Sequence, residues 1–304
     1  MKSIEKSWIS NKLSISEQLL NFENLHCTPL GKVTKVLARE QTLYFKTDEL
    51  IGSEVIKTEH IAHRLGADTI SIAGSSIDRN WLLTHSAGIE VFNSSNKKHW
   101  LKAMTLMAQL HQLKLDEIDM ENLSVNNFKA HEFGDFVSSQ TFMDYWDIST
   151  IEKKSLKEVS NYINQLPNIS VLETSKPSIC HGDSHARNVL VDNDHEVRWF
   201  DWKEAHVGNP LCDLGFFLWW LTPDRKQLGI QIDVTNDFIE KLSLTYQLKM
   251  YGELKFKSIK DLMIIGLAHR AMLYHGTYFN LLESKPFYVT YALRQLVKIH
   301  ATAI

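Results

Sequence analysis

The chain has 304 residues, 44% hydrophobic and 23% charged, the proportions of a globular protein built as two ordinary domains or one large bilobal unit. Its net charge of −3, from 33 Lys and Arg against 36 Asp and Glu, excludes the basic footprint of a nucleic-acid binder. Three scattered cysteines (Cys27, Cys180 and Cys212) rule against a disulfide scaffold and point to a reducing compartment. No apolar stretch of roughly 7–15 residues opens the chain, and the most apolar run, Leu214 to Leu221, is far shorter than the roughly 20 residues of a membrane span. A cytoplasmic protein without nucleic-acid or membrane partners is expected.

In chain order, Ile15 to Phe22 reads as a short amphipathic piece. The β-branched or alternating runs Lys32 to Leu37 and Thr42 to Lys46, separated by Glu40 and Gln41, predict a hairpin. Helical spacing follows from Ser53 to Leu65, with Gly66 as its stop. Thr69 to Ile72 and Trp81 to Thr84 are further strand candidates, joined by a turn at Gly74, Ser75 and Ser76. After Gly88 the texture becomes helical, with patterns at His99–Leu113, Thr150–Leu166, Asp213–Leu221, Asn236–Tyr251 and Ile259–Asn280. The expected organisation is α+β: a small antiparallel-sheet lobe with one helix over residues 1–88, and a larger, mostly helical lobe over residues 89–304.

One β signal, Val189 to Asp201, interrupts the helical part and carries the chemistry. Two strands flank a four-residue polar turn, Asn193 to Glu196. If Asp192 pairs with Val197, Asn188 lies opposite Asp201, where cross-strand Cβ atoms are about 4.5–5.5 Å apart. An amide oxygen and a carboxylate side by side are hard donors of the kind Mg²⁺ takes. Asp183, on the Gly182 turn five residues before Asn188, faces the same end, where a carboxylate can orient an incoming hydroxyl and accept its proton.

His181-Gly182-Asp183 with Asn188, then Trp199-Phe200-Asp201-Trp202 and Asp213-Leu214, resembles the aminoglycoside phosphotransferase and choline kinase-like family of small-molecule kinases. Trp81-Leu82-Leu83 followed by Ser86-Ala87-Gly88 extends the likeness. The resemblance implies a protein-kinase-like fold and transfer of the ATP γ-phosphate to a small-molecule hydroxyl, with Asp183 as catalytic base and Asn188 and Asp201 holding Mg²⁺. It makes Lys46 the phosphate-binding lysine and places adenine beside backbone groups at His85 and Ser86. It assigns Asp213 to steadying the catalytic loop. The carboxylate that holds Lys46 is expected on the following helix: Glu59 shares the stripe of Val55 and Ala62, while Glu54 shares that of Ile61 and Leu65, and Glu59 is preferred. No G-x-G-x-x-G or Walker sequence occurs, and Gly31 alone could relax the turn between the first two strands.

Other readings stay open. A nucleotide-binding module without transfer chemistry, or one directed at protein, is the alternative function. His181 is expected to brace the catalytic turn; no paired metal-ligand spacing accompanies Cys180, His181 and His185. Phe216, Phe217, Trp219 and Trp220 read as core, with one indole able to line the acceptor pocket. Eight acids and one base between Leu115 and Asp147, interleaved with aromatics, suggest either a cationic acceptor or a solvated acidic surface.

Overall fold

The computed structural model describes residues 1–28, 31–48, 54–222, 229–278 and 287–302. Ser53 and Asn280, the expected ends of two helices, and most of the turn ahead of Gly31 lie outside them. The chain divides into two units: Met1–Val91 with Asn188–Glu204, and Phe92–Arg187 with Ala205–Ile304. The first break falls three residues beyond Gly88, and the hairpin after Asn188 clusters with the N-terminal segment.

In the first unit, β1 (Leu20–Thr28), β2 (Gly31–Ala38), β3 (Gln41–Thr47), β4 (Ile72–Ser76) and β5 (Trp81–His85) form an antiparallel sheet of order β1-β2-β3-β5-β4. Alternation along β3 buries Leu43 and Phe45 and turns Lys46 to the opposite face. On the buried face, Ile9 and Trp8 of helix α1 (Ser3–Leu13) pack on the sheet, and the Trp8 and Trp81 rings meet edge-on at 5.5 Å. The sequence does not announce this helix, because five of its eleven residues are Lys or Ser and its apolar positions form no continuous stripe. Helix α2 (Glu54–Leu65) follows as expected, with Gly66 at a φ of +57° beyond it. The strand expected at Thr69 instead begins at Ile72. Thr69 makes an isolated bridge to Trp199, and Gly74 to Ser76 lie within β4, the turn falling at Ile77 to Asn80.

A second small sheet joins β6 (Ile89–Glu90) to the hairpin of β9 (Val189–Val191) and β10 (Val197–Trp199), in the order β10-β9-β6. The register differs by one residue from the expected one. Asp192 N–H donates to Glu196 O at 3.0 Å, so the loop holds three residues and not four, closed by His195 at a φ of +62°. That left-handed third position is the usual geometry of a three-residue hairpin loop. Val189 therefore faces Trp199, and Phe200, not Asp201, lies opposite Asn188, donating its N–H to Asn188 O at 3.1 Å.

The second unit holds α3 (Lys97–Gln112), α4 (Glu117–Asn122), α5 (Ala130–Ser138), α6 (Gln140–Tyr145), α7 (Thr150–Asn164), α8 (Ile169–Thr174), α9 (Pro210–Trp219), α10 (Asn236–Tyr251), α11 (Ile259–Tyr278) and α12 (Phe287–Ala301). Strands β7 (Ser124–Asn126), β8 (Ser178–Cys180) and β11 (His206–Gly208) form its sheet, β11 running parallel to β7 and antiparallel to β8. Every residue of α9 is buried, as a helix apolar on all sides requires. It crosses α11 where Gly215 meets Gly266: a Cβ at the first would overlap the Leu262 carbonyl, and at the second the Phe216 peptide. Only glycine at both positions permits that approach. Among the described residues, no helix is long and apolar enough to cross a membrane.

Candidate active site

In the first unit, Lys46 projects from β3 between two carboxylates. Its Nζ lies 2.8 Å from Glu54 Oε1 and 2.9 Å from Asp201 Oδ1. Burial alone would push the ammonium down, but the charges of Asp201 and Glu54 hold it above the ordinary lysine value. The partner carboxylate is thus Glu54, not Glu59. Glu54 opens α2 and is buried with Thr58 and Ile61 on the stripe i, i+4, i+7, whereas Glu59 lies one position off that stripe and takes a hydrogen bond from Ser75 Oγ of β4.

Asp201 leaves the β10 strand with a φ of +65°, a left-handed conformation that breaks the side-to-side alternation of the ladder. This turn delivers its carboxylate to Lys46. The segment after it is tied to the same unit by side chains: Trp202 Nε1 donates to Thr69 Oγ1 at 2.9 Å, and Lys57 Nζ of α2 donates to Lys203 O at 2.9 Å. Asn188 is buried at the entry to β9. Its amide oxygen and the half-exposed Asp201 carboxylate are hard donors of the kind that fit Mg²⁺. His85 and Ser86 line a cavity of about 790 Å³ together with Ser71, Gly88 and Arg198. Their peptide N–H groups are already engaged, that of His85 by Ser71 O and that of Ser86 by Thr42 O, both at 2.9 Å.

In the second unit, β8 ends at the turn of His181, Gly182 and Asp183. Gly182 adopts a φ of +78°, which L-residues rarely take. Asp213, in the first turn of α9, accepts the N–H of His181 at 2.6 Å and that of Gly182 at 3.0 Å, and Ser184 Oγ donates to its carbonyl at 2.8 Å. His181 Nδ1 in turn accepts the Asp183 N–H at 3.2 Å. Burial would raise Asp213, but its bond to His111 Nε2, at 3.2 Å, with the nearby His181 and His206 holds it well below the usual carboxylate range. His111, Cys180 and Asp213 come close enough to suggest a metal cluster. Hydrogen bonds engage all three side chains: His111 Nδ1 meets the Tyr246 hydroxyl at 2.6 Å and its Nε2 meets Asp213 at 3.2 Å, while Cys180 Sγ donates to Ser178 O at 3.6 Å.

Asp183 itself meets a cation absent from the sequence reading. Arg270 of α11, 2% exposed, places Nη2 at 2.8 Å from Asp183 Oδ1, while His185 Nε2 lies 3.5 Å from Oδ2. Burial would raise this carboxyl; Arg270, then His185 and His181, override it and hold Asp183 far below the usual carboxylate range. One signal was available: Arg270 is the lone formal charge between Met263 and Met272, in a run too apolar for an unpaired cation. Beside the turn, the His185 ring lies 4.4 Å from that of Trp220.

The acidic segment from Leu115 to Asp147 is largely local structure. Asp116 and Asp119 cap α4, Glu132 pairs with Lys129 at 2.9 Å, and Asp144 accepts from Gln140 at 2.6 Å. Phe128, Phe133, Phe142 and Trp146 are core, and so are Phe216, Phe217 and Trp219. Asp135, Asp144 and Asp147 remain exposed.

Residues 76–236 match the model of the phosphotransferase enzyme family APH, just over half of the chain. No curated protein sequence matches it. Solved structures share the fold: choline kinase LicA from Streptococcus pneumoniae (TM-score 0.61, 14% identity, 98% of this chain and 99% of that one) and spectinomycin phosphotransferase APH(9)-Ia with ADP and spectinomycin (0.60, 14%, 92% and 91%). APH(2")-IIa with streptomycin and ATP is similar (0.61, 13%, 98% and 96%). The α+β, kinase-like fold expected from the motifs is thus the fold observed, with two helices where one was expected beside the five-stranded sheet. With the matched segment spanning β5, the turn of Asp183, the Asp201 hairpin and α9, the chain belongs to the APH phosphotransferase enzyme family.

Proposed function

We propose that the protein transfers the γ-phosphate of ATP to a hydroxyl of a small molecule. The observation that carries this reading is Lys46 clamped between Asp201 and Glu54, a cation held at the place where a phosphotransferase of this fold needs one for the phosphates. ADP and ATP in the structures of the two relatives support ATP as the co-substrate.

Lys46 draws in the phosphates, and Asn188 and Asp201 would hold Mg²⁺. Such an ion would supply neutralisation of the charge that develops on the transferring phosphoryl group. Asp183 accepts a hydrogen bond from the acceptor hydroxyl and fixes its line of attack. The acceptor oxygen bonds to the γ-phosphorus as the bond to the ADP oxygen breaks, and the hydroxyl proton passes to Asp183 and then to solvent. Adenine lies by family likeness beside His85 and Ser86, though not on their two N–H groups, which the sheet already uses.

The test measures ADP release and phosphorylated product, with Mg²⁺, over a panel of aminoglycosides, amino-alcohols and neutral sugars. The expected result is acceptor-dependent ADP release with a phosphate ester formed in equal amount. Nucleotide binding with no turnover on any acceptor would favour a module that has lost transfer; label appearing on added protein would favour a protein-directed kinase.

A further inference from the structure

We propose that Arg270 is the positioning residue for Asp183, holding its carboxylate and the peptide beside it in one fork. This rests on the phosphotransfer role of Asp183 given above. Arg270 Nη2 pairs with Asp183 Oδ1 at 2.8 Å, and Nη1 donates to the carbonyl of Gly182. A planar guanidinium that binds a side chain and the adjoining backbone together fixes both the carboxylate rotamer and the turn that carries it. The guanidinium is itself held: its carbon lies 3.6 Å from the Tyr274 ring centre, one turn along α11, and 5.3 Å from that of Phe216 on α9.

A second observation, independent of these contacts, is the crossing of the two helices. Gly215 and Gly266 bring α9 and α11 to backbone contact, and Arg270 stands one turn beyond Gly266. The catalytic turn is therefore gripped from both sides of one close crossing. Asp213 of α9 takes the N–H groups of His181 and Gly182, and Arg270 of α11 takes the Gly182 carbonyl and Asp183. Arg270 engages Oδ1, and His185 Nε2 lies 3.5 Å from Oδ2, so both oxygens of Asp183 are oriented by neighbouring side chains. A lysine here would keep the charge but not the fork, and could not hold the Gly182 carbonyl and the carboxylate in one plane.

The experiment compares the full-length protein with Arg270→Lys and Arg270→Gln. It reads kcat, acceptor KM, affinity for a non-hydrolysable ATP analogue, and the ¹³C chemical-shift titration of the Asp183 carboxyl. Arg270→Gln should lower kcat by at least about 100-fold, and Arg270→Lys should recover roughly ten-fold of that, with nucleotide affinity within about three-fold of wild type in both. Among the charges that act on Asp183 are those of Arg270, His185 and His181. Loss of the first should therefore move the Asp183 titration upward, since burial then dominates. Should Arg270→Gln fail to fold, Arg270→Lys decides alone through its lowered kcat at unchanged nucleotide affinity. Wild-type kcat in either variant, or an Asp183 titration unmoved in a folded Arg270→Gln, overturns the proposal. The titration is read without turnover, so a wild-type protein inactive on every acceptor would defeat the functional reading and leave this one standing on its own measurement.

Discussion

The Asp213 carboxylate on α9 takes the peptide N–H of His181 from the end of β8 at 2.6 Å, so a buried acid shapes the turn that carries Asp183. Its second oxygen takes the N–H of Gly182 at 3.0 Å. Asn at this position offers one acceptor oxygen and turns an amide donor toward a peptide donor. Asp213→Asn should therefore destabilise the fold by about 1–3 kcal/mol for the buried group left without a partner. The melting temperature should fall by a few degrees, and kcat should fall while acceptor KM changes little. Calorimetry together with steady-state kinetics checks this; unchanged melting and kcat would remove Asp213 from the support of the turn.

Lys46→Ala should lower kcat/KM for ATP by about one to three decades, on the order of 1.4–4 kcal/mol. Glu54→Gln should follow it in direction, since Glu54 Oε1 is 2.8 Å from the ammonium. Glu59→Gln should behave as wild type, because its partner is Ser75. Steady-state kinetics on the three variants decides the pairing, and equal effects of Glu54→Gln and Glu59→Gln would contradict it.

His269 gives a pH signature in stability. Burial first, then the neighbouring His206, push it down to about 3, against 6.5 for an ordinary histidine. The unfolded chain therefore binds more protons between these values, and stability rises with pH across that window. Acidification from pH 7 to 5 should lower the melting temperature, and His269→Phe should flatten that slope. Asp183 and Asp213, both depressed, add their own loss only on further acidification, beginning near the usual carboxylate range. A slope from pH 7 to 5 that His269→Phe leaves intact would assign it elsewhere.

The exposed acids Asp135, Asp144 and Asp147 should attract a cationic acceptor over distance more than by contact. The KM of an amino-sugar or amino-alcohol should then rise with salt, while that of a neutral sugar should not. The triple variant Asp135→Asn, Asp144→Asn, Asp147→Asn should reproduce the high-salt KM at low salt. Indifference of every acceptor to salt and to these changes would make the segment a solvated surface.

Local chemistry explains what was legible in the sequence. The hairpin and the long helices rest on short-range rules of turn residues and periodicity, and these elements are present in the structure. The hairpin register differs, because His195 adopts a left-handed conformation that histidine takes less often than glycine or asparagine, shortening the loop by one residue. The choice between Glu54 and Glu59 turned on which of two helix stripes faces β3, a tertiary fact that periodicity leaves open. Arg270 is 87 residues from Asp183, and only the crossing at Gly215 and Gly266 brings them together. Its trace in the sequence was a solitary charge in an apolar helix, a sign that a partner exists but not which one.

The proposed division of labour, with Asp183 at the acceptor and Asp201 at the metal and nucleotide, is tested most directly by calorimetric titration of a non-hydrolysable ATP analogue with Mg²⁺. Wild type, Asp183→Asn and Asp201→Asn are compared, with turnover measured alongside. Asp183→Asn should bind the analogue within a few-fold of wild type while turnover is abolished, and Asp201→Asn should lose the Mg²⁺-dependent part of the affinity. An Asp183→Asn protein, folded by its melting curve, whose nucleotide affinity falls as far as that of Asp201→Asn would contradict the account.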